Sequence, residues 1–268
     1  MAKKKKQSSN QLEIQNAAKT LFANIRFMSV DDPIKSIVIT SSVPKEGKST
    51  VSVNLAQAIA TSGKQVLLVE ADMRRRSLAT MLGVRPSAGL YAVLTDAAPL
   101  NVAVTGTATP NLHFLDTEPN IPNPADLISS KRFGRLVRTL EERYDMPPVG
   151  TFVDAAILST LVDATVMVVR PNLTKRAELT GAYEQLQKAN ANVIGVCATF
   201  VEGSGSEYYY AYYTNSGERV KPESAAGGSG VPAAAMASGS RGGRGGSPEP
   251  SARSQTPYGG MSQRGARR

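Results

Sequence analysis

One cysteine, Cys197, and one histidine, His113, serve all 268 residues of the chain. An intramolecular disulfide is therefore excluded and a reducing compartment implied, and sites built on several histidines, His-based catalytic triads included, are excluded as well. Both residues read as packing groups. Long apolar runs are missing too. A membrane-spanning helix needs about twenty consecutive apolar residues, and every apolar stretch here is cut short by polar or charged ones. The start, "MAKKKKQSSN", lacks the apolar segment that a signal peptide carries after its basic residues, so a cytoplasmic location is expected. From Thr214 to Arg268 large apolar side chains are scarce and Gly, Ser, Ala, Pro and Arg dominate. Such a composition buries too little to offset chain entropy, so a disordered tail is expected after one globular domain.

The net charge of +9 is confined to the ends. Lys3 to Lys6 carry four positive charges and residues 214–268 carry eight basic against three acidic groups, while residues 7–213 carry nineteen of each sign. The globular part is neutral, and no specific nucleic-acid partner is expected. The tails suit loose contact with anionic lipid or polyanions, and the Arg-Gly stretch near Arg241 and Arg244 suits RNA.

No internal repeat is present, and apolar residues alternate between helical and strand spacing along the chain. A helix is predicted from about Leu12 to Phe27, with Ala18, Leu21, Phe22 and Ile25 on one face. Strands are predicted at Lys35–Thr40, Gln65–Val69, Leu112–Leu115, Ala164–Val169 and Asn192–Phe200, with helices at Thr50–Thr61 and Lys175–Ala189. Phe133, Leu136, Val137, Leu140 and Tyr144 mark another amphipathic helix. Nearly continuous apolar strands alternating with helices predict an α/β fold, a parallel sheet covered by helices on both faces.

Between the first strand and the second helix lies "TSSVPKEGKST", Thr40 to Thr50. Its last residues, with Pro44, Lys45, Glu46, Gly47, Lys48, Ser49 and Thr50, sit where a strand turns into a helix. Backbone N–H groups and the helix N-terminus converge there on a polyphosphate. Lys48 is placed to neutralise the β and γ phosphates and Ser49 to ligate Mg²⁺. The second strand runs out as "VEADMR", and Glu70 and Asp72, two residues apart on extended chain, point the same way from the carboxyl edge of the sheet. Asp72 there can hold Mg²⁺, and Glu70 is the candidate base that takes a proton from an attacking hydroxyl.

"PIKSIVITSSVPKEGKSTVSVNLAQAIA", "VLLVEADMRRRSL", "IPNPADLISSKRF" and "PPVGTFVDAAILSTLVDATVMVVR" together resemble the bacterial tyrosine kinases of capsule and exopolysaccharide synthesis, over about residues 10–213. The resemblance implies a P-loop NTPase-like fold and ATP with Mg²⁺ as cofactors. It implies a membrane adaptor of the polysaccharide co-polymerase type that activates the kinase at the inner face of the membrane. Protein tyrosine substrates, a cognate tyrosine phosphatase and homo-oligomers are implied as well. Autophosphorylation is implied on the cluster Tyr208, Tyr209, Tyr210, Tyr212 and Tyr213, where each phosphate adds about −1.5 to −2 charge. The organisation expected is a basic tail at 1–9, a kinase domain at 10–206, the tyrosine cluster at 207–213 and the disordered tail at 214–268.

The sequence departs from the family pattern in four respects. On the first helix, Asn16, Lys19 and Phe22 stand where relatives carry a Glu-x-x-Arg-x-x-Arg motif used in ring assembly; Glu70 replaces an aspartate; Thr199 replaces an asparagine near the adenine. The fourth lies at "EERYDMPPVG", where Met146 runs directly into Pro147 and about five apolar residues of a central strand are absent, some 16 Å of chain. The expectation is that this strand, with its Walker B aspartate, is deleted, or that Arg143 to Met146 unwind to replace it, leaving Asp145 as substitute acid. Two further functions are carried as alternatives: a catalytically impaired nucleotide-binding scaffold or phosphate acceptor of the same system, and a partitioning-type P-loop ATPase.

Overall fold

A computed structural model of the protein describes residues 2–28, 33–144, 146–151 and 155–201, with side chains from residue 10 onward except those of residues 146–151. The chain opens with helix α1 (Ala2–Phe27), which starts ahead of the predicted Leu12 because nothing in the lysine run interrupts helical backbone. Strand β1 (Ile37–Ser41) leads through the Gly-Lys-Ser-Thr turn into α2 (Lys48–Thr61), and β2 (Val66–Glu70) follows. Three short helices, α3 (Leu78–Leu82), α4 (Leu90–Leu94) and α5 (Leu100–Ala103), precede strands β3 (Val104–Gly106) and β4 (Leu112–Leu115). Then come α6 (Pro124–Ile128), α7 (Lys131–Arg143), β5 (Met146–Thr151), α8 (Ala155–Leu158), β6 (Ala164–Val169), α9 (Arg176–Lys188) and β7 (Val193–Ala198).

The strands form one sheet in the order β3-β4-β2-β5-β1-β6-β7. All neighbours are parallel except the edge pair β3 and β4. Alternation along each strand sorts the core into two layers. Ile37, Ile39, Val66, Leu68, Phe114, Val166 and Val168 pack with α1 and α2 on one face. Val38, Leu67, Val69 and Met167 meet Phe133, Leu136, Val137 and Leu140 of α7 on the other. Phe22, at a position where the family motif would carry a charge, is buried in the first layer, with the Arg26 guanidinium 5.8 Å from its ring centroid. Cys197 is half-buried, and burial pushes its thiol pKa up.

The expected loss of the central strand is corrected. Helix α7 stays helical to Arg143, so the chain end does not unwind. Instead Met146–Thr151 takes the place between β2 and β1. Prolines are poor central-strand residues because they have no N–H to donate. Here the ladder shifts register between Val66 and Leu68, Met146 facing Val66 and Val149 facing Leu68, so that Pro147 and Pro148 fall in the irregularity. Against β1, among the described residues, Val149, Gly150 and Thr151 pair. A two-residue mismatch opposite one residue is how a bulge absorbs unpaired backbone. What makes "MPPVGT" a strand is its neighbours on both sides, not its own pattern.

Candidate nucleotide site

The carboxyl ends of β1 and β2 and the N-terminus of α2 meet at one edge of the sheet. Gly47 stands just before α2 with φ 98°, a left-handed conformation, and no side chain caps the helix, so the first-turn N–H groups are aimed at a ligand. A Cβ on Gly47 would come within 3.2 Å of the Thr199 side chain, and this is why glycine is required there. Lys48 Nζ donates to Ser41 Oγ at 3.0 Å. Ser49 Oγ lies 2.7 Å from Ser77 Oγ, which ties the loop to the segment after β2.

Glu46 is fully buried and does not face a ligand. Its carboxylate accepts from the Ser42 hydroxyl at 3.1 Å, from Val43 N–H at 2.8 Å and from the Thr174 hydroxyl, which in turn accepts from Arg170 N–H at 2.9 Å. The Glu46 carbonyl accepts from the Thr199 hydroxyl at 2.5 Å. The loop is thus locked from inside by a side chain that loop chemistry alone marked only as lining. Pro44 and Lys45 are exposed, and Lys45 adopts φ 68°. A left-handed lysine costs about 1–2 kcal/mol, partly offset by the greater unfolded-state freedom of glycine. Lys45→Gly is therefore expected to raise unfolding stability by about 0.5–1 kcal/mol, read as a higher urea midpoint at unchanged slope; an unchanged or lower midpoint would refute the strain.

Glu70 and Asp72 lie where expected, at the carboxyl end of β2, but they differ in access. Glu70 has no exposed surface. One oxygen accepts from Asp72 N–H at 3.1 Å, and the other from Ser77 N–H at 2.9 Å and Leu78 N–H at 3.1 Å. It organises the turn that carries Ser77 toward Ser49. Asp72, 8% exposed, accepts from the N–H groups of Arg74 and Arg75 and is the acid nearer the surface. Arg76, not anticipated, pairs with Asp116 at the end of β4, and that hydrogen bond holds its guanidinium pKa above the ordinary value. No acid occurs in β5 itself. Asp145 lies outside the described residues, while Met146 after it faces Val66 at the amino end of β2, the edge away from the loop. Tyr208, Tyr209, Tyr210, Tyr212 and Tyr213 also lie outside them.

Among the described residues no cluster of three His, Cys, Asp or Glu could hold a metal by itself. Mg²⁺ does not need one, since it takes one or two protein oxygens beside nucleotide phosphates. The Ser49 hydroxyl and Asp72 fit that role. A cleft of about 240 Å³ adjoins the loop, lined by Thr40, Ser41, Ser42, small side chains Ala155, Ala156 and Ala182, and Gln185. Among the described residues no helix is long and apolar enough to cross a membrane.

A family model described as the CobQ/CobB/MinD/ParA nucleotide binding domain matches residues 37–220. The tyrosine-protein kinase YwqD of Bacillus subtilis (strain 168) is 36% identical over 182 residues, 66% of this chain and 77% of that one. The tyrosine-protein kinase CpsD of Streptococcus pneumoniae is 30% identical over 195 residues, covering 70% and 86%. Among solved structures, the kinase domain of the Escherichia coli tyrosine kinase ETK matches with TM-score 0.65 at 25% identity, over 72% of this chain and 79% of that one. With its phosphate loop, acidic second strand and parallel sheet in place, the chain belongs to the CobQ/CobB/MinD/ParA nucleotide-binding domains and, within them, to the bacterial tyrosine-protein kinases of capsule and exopolysaccharide systems.

Proposed function

We propose that this chain transfers the γ-phosphoryl group of ATP, bound with Mg²⁺, to tyrosine hydroxyls, those of Tyr208, Tyr209, Tyr210, Tyr212 and Tyr213 first among them. The observation that carries this reading is that Lys48 and Ser49 of the loop are tied to the carboxyl end of β2, Ser49 bonding Ser77 and Glu70 accepting from both Ser77 and Asp72, in a member of this kinase family. When bound, Mg²⁺ neutralises phosphate charge as the phosphoryl group moves. Lys48 supplies a fixed positive charge beside the β and γ phosphates. Ser49 and Asp72 hold the metal side. Glu70, the expected base, is sealed and has both oxygens engaged, so its part is to position Asp72 and Ser77. The cleft beside Thr40 to Ser42 gives an incoming tyrosine side chain room next to Lys48. A membrane adaptor would recruit the chain to the inner face of the membrane, protein tyrosines would be its substrates, and a phosphatase would reverse the marks.

Incubation of the full chain with ATP, Mg²⁺ and the cytoplasmic tail of its adaptor, followed by phosphotyrosine mass spectrometry, tests this. Phosphate is expected on residues 208–213 and absent when all five tyrosines are phenylalanine. Bound ATP without any phosphotyrosine would instead establish the scaffold reading.

A further inference from the structure

Residues 1–9, expected as a basic tail, are helical from Ala2 onward and run without a break into the rest of α1. Among the described residues, only the second half of that helix is buried. Ala18, Phe22 and Ile25 are enclosed, the last two in the layer that α2 shares, whereas Asn10 to Gln15 are all exposed and no described side chain ahead of Ala18 is buried. At about 1.5 Å per residue, the stretch from Ala2 to Ala17 is an arm about 24 Å long. A helix that buries no face gains little from the fold, so core packing does not account for the arm.

Its composition is one-sided. Ahead of Ala18 stand Lys3, Lys4, Lys5 and Lys6 against a single acid, Glu13, while residues 7–213 as a whole balance at nineteen charges of each sign. Positive charge is thus gathered at the end of the helix away from its packed half. Leu12 and Ile14 add apolar surface, 59% and 46% exposed. Aromatic side chains are missing, since Phe22 is the first in the chain.

These features together select a partner. A bilayer with anionic headgroups attracts clustered lysines and takes up Leu and Ile side chains at its boundary. Single-stranded RNA attracts lysine too, but it is held largely by bases stacked on aromatic rings, and the arm has no ring to offer. We infer that the amino-terminal half of α1 is a docking arm for anionic lipid, a contact made by this chain itself and separate from any adaptor. Because the arm continues into the half that packs on the domain, lipid that holds the lysines holds the nucleotide-binding domain through a helix and not through a flexible linker.

Co-sedimentation of the full chain with vesicles, without nucleotide or adaptor, tests this. Vesicles of phosphatidylglycerol and phosphatidylcholine in equal parts should pellet the chain, less so as salt rises, and vesicles of phosphatidylcholine alone should leave it in solution. Each lysine near an anionic surface gives about a five-fold gain in partitioning. Glutamine at all four lysine positions, which keeps good helix formers there, should therefore lower partitioning by about ten-fold or more, whereas arginine at the same positions should preserve it. Glutamine in place of Arg241, Arg244, Arg253, Arg264, Arg267 and Arg268 should leave most of the binding. Equal pelleting by both kinds of vesicle, a four-lysine variant that partitions like the parent, or a loss confined to the variant of the carboxyl-terminal arginines would overturn the inference. Binding to polyuridylate tighter than to anionic vesicles, and lost in the four-lysine variant, would overturn it in favour of RNA. The kinase reading is untouched by any of these results, since neither nucleotide nor acceptor tyrosine enters the assay.

Discussion

Lys48→Met is expected to lower phosphotyrosine formation by about 10²–10³-fold, the loss that follows when one preorganised group facing transition-state charge is removed. Methionine nearly keeps the length of the lysine stem and discards its ammonium. Among the described residues that ammonium hydrogen-bonds Ser41 Oγ alone, so unfolding stability should move by less than about 1 kcal/mol. The contrast between a large kinetic and a small thermodynamic effect is the signature. Initial rates of phosphotyrosine formation, measured beside urea unfolding, separate the two. A variant that keeps a third of the original rate would remove Lys48 from the chemistry, and one that loses several kcal/mol of stability would make its role structural.

Glu46→Ala should act in the opposite sense, through the fold first. The carboxylate is fully buried and is the common acceptor for the Ser42 hydroxyl, Val43 N–H and the Thr174 hydroxyl. Deleting it leaves three partly buried donors with no acceptor, at up to about 1–3 kcal/mol for each group left unpaired, and a net loss of about 3 kcal/mol is expected once water enters. Nucleotide affinity should fall as well, because the loop N–H groups would have to be ordered at the moment of binding. Glu46→Gln, which keeps the shape and one oxygen, should recover more than half of both losses. Urea midpoints with ATP titrations decide this: an alanine variant as stable as the parent would show that the loop holds itself without the lock.

Residue spacing carried the sheet and the phosphate loop because both follow short-range rules. Leu112–Leu115 and Ala164–Val169 were predicted to the residue, since continuous apolar runs between polar turns admit few readings. The short helices α3, α4, α5, α6 and α8, four or five residues each, left no helical period to detect. The antiparallel edge strand β3, three residues long, left no signal either. The central strand β5 was missed for a different reason: Pro147 and Pro148 are local evidence against a strand, and only the open sheet edges beside them override it. In the site, residue type located Lys48, Ser49, Glu70 and Asp72. It could not tell that Glu46 turns inward, that Glu70 is sealed, or that Phe200 lies under Arg170, because those facts depend on Thr174, Ser77 and the end of β6, all distant in sequence.

The register shift at Pro147 and Pro148 also governs how the domain comes apart. β5 pairs with β1 through three residues, whereas β6 pairs with the other side of β1 through five. Among the described residues this central ladder is as short as that of the edge pair β3 and β4 and shorter than the others. Parting there is expected to leave β3-β4-β2-β5 on one side and β1-β6-β7 on the other. The acids Glu70 and Asp72 belong to the first block, and the phosphate loop after β1 belongs to the second. A ligand that touches both acts as a clasp across that seam, so slow amide exchange in β1 and β2 reports occupancy of the site as directly as any assay of chemistry.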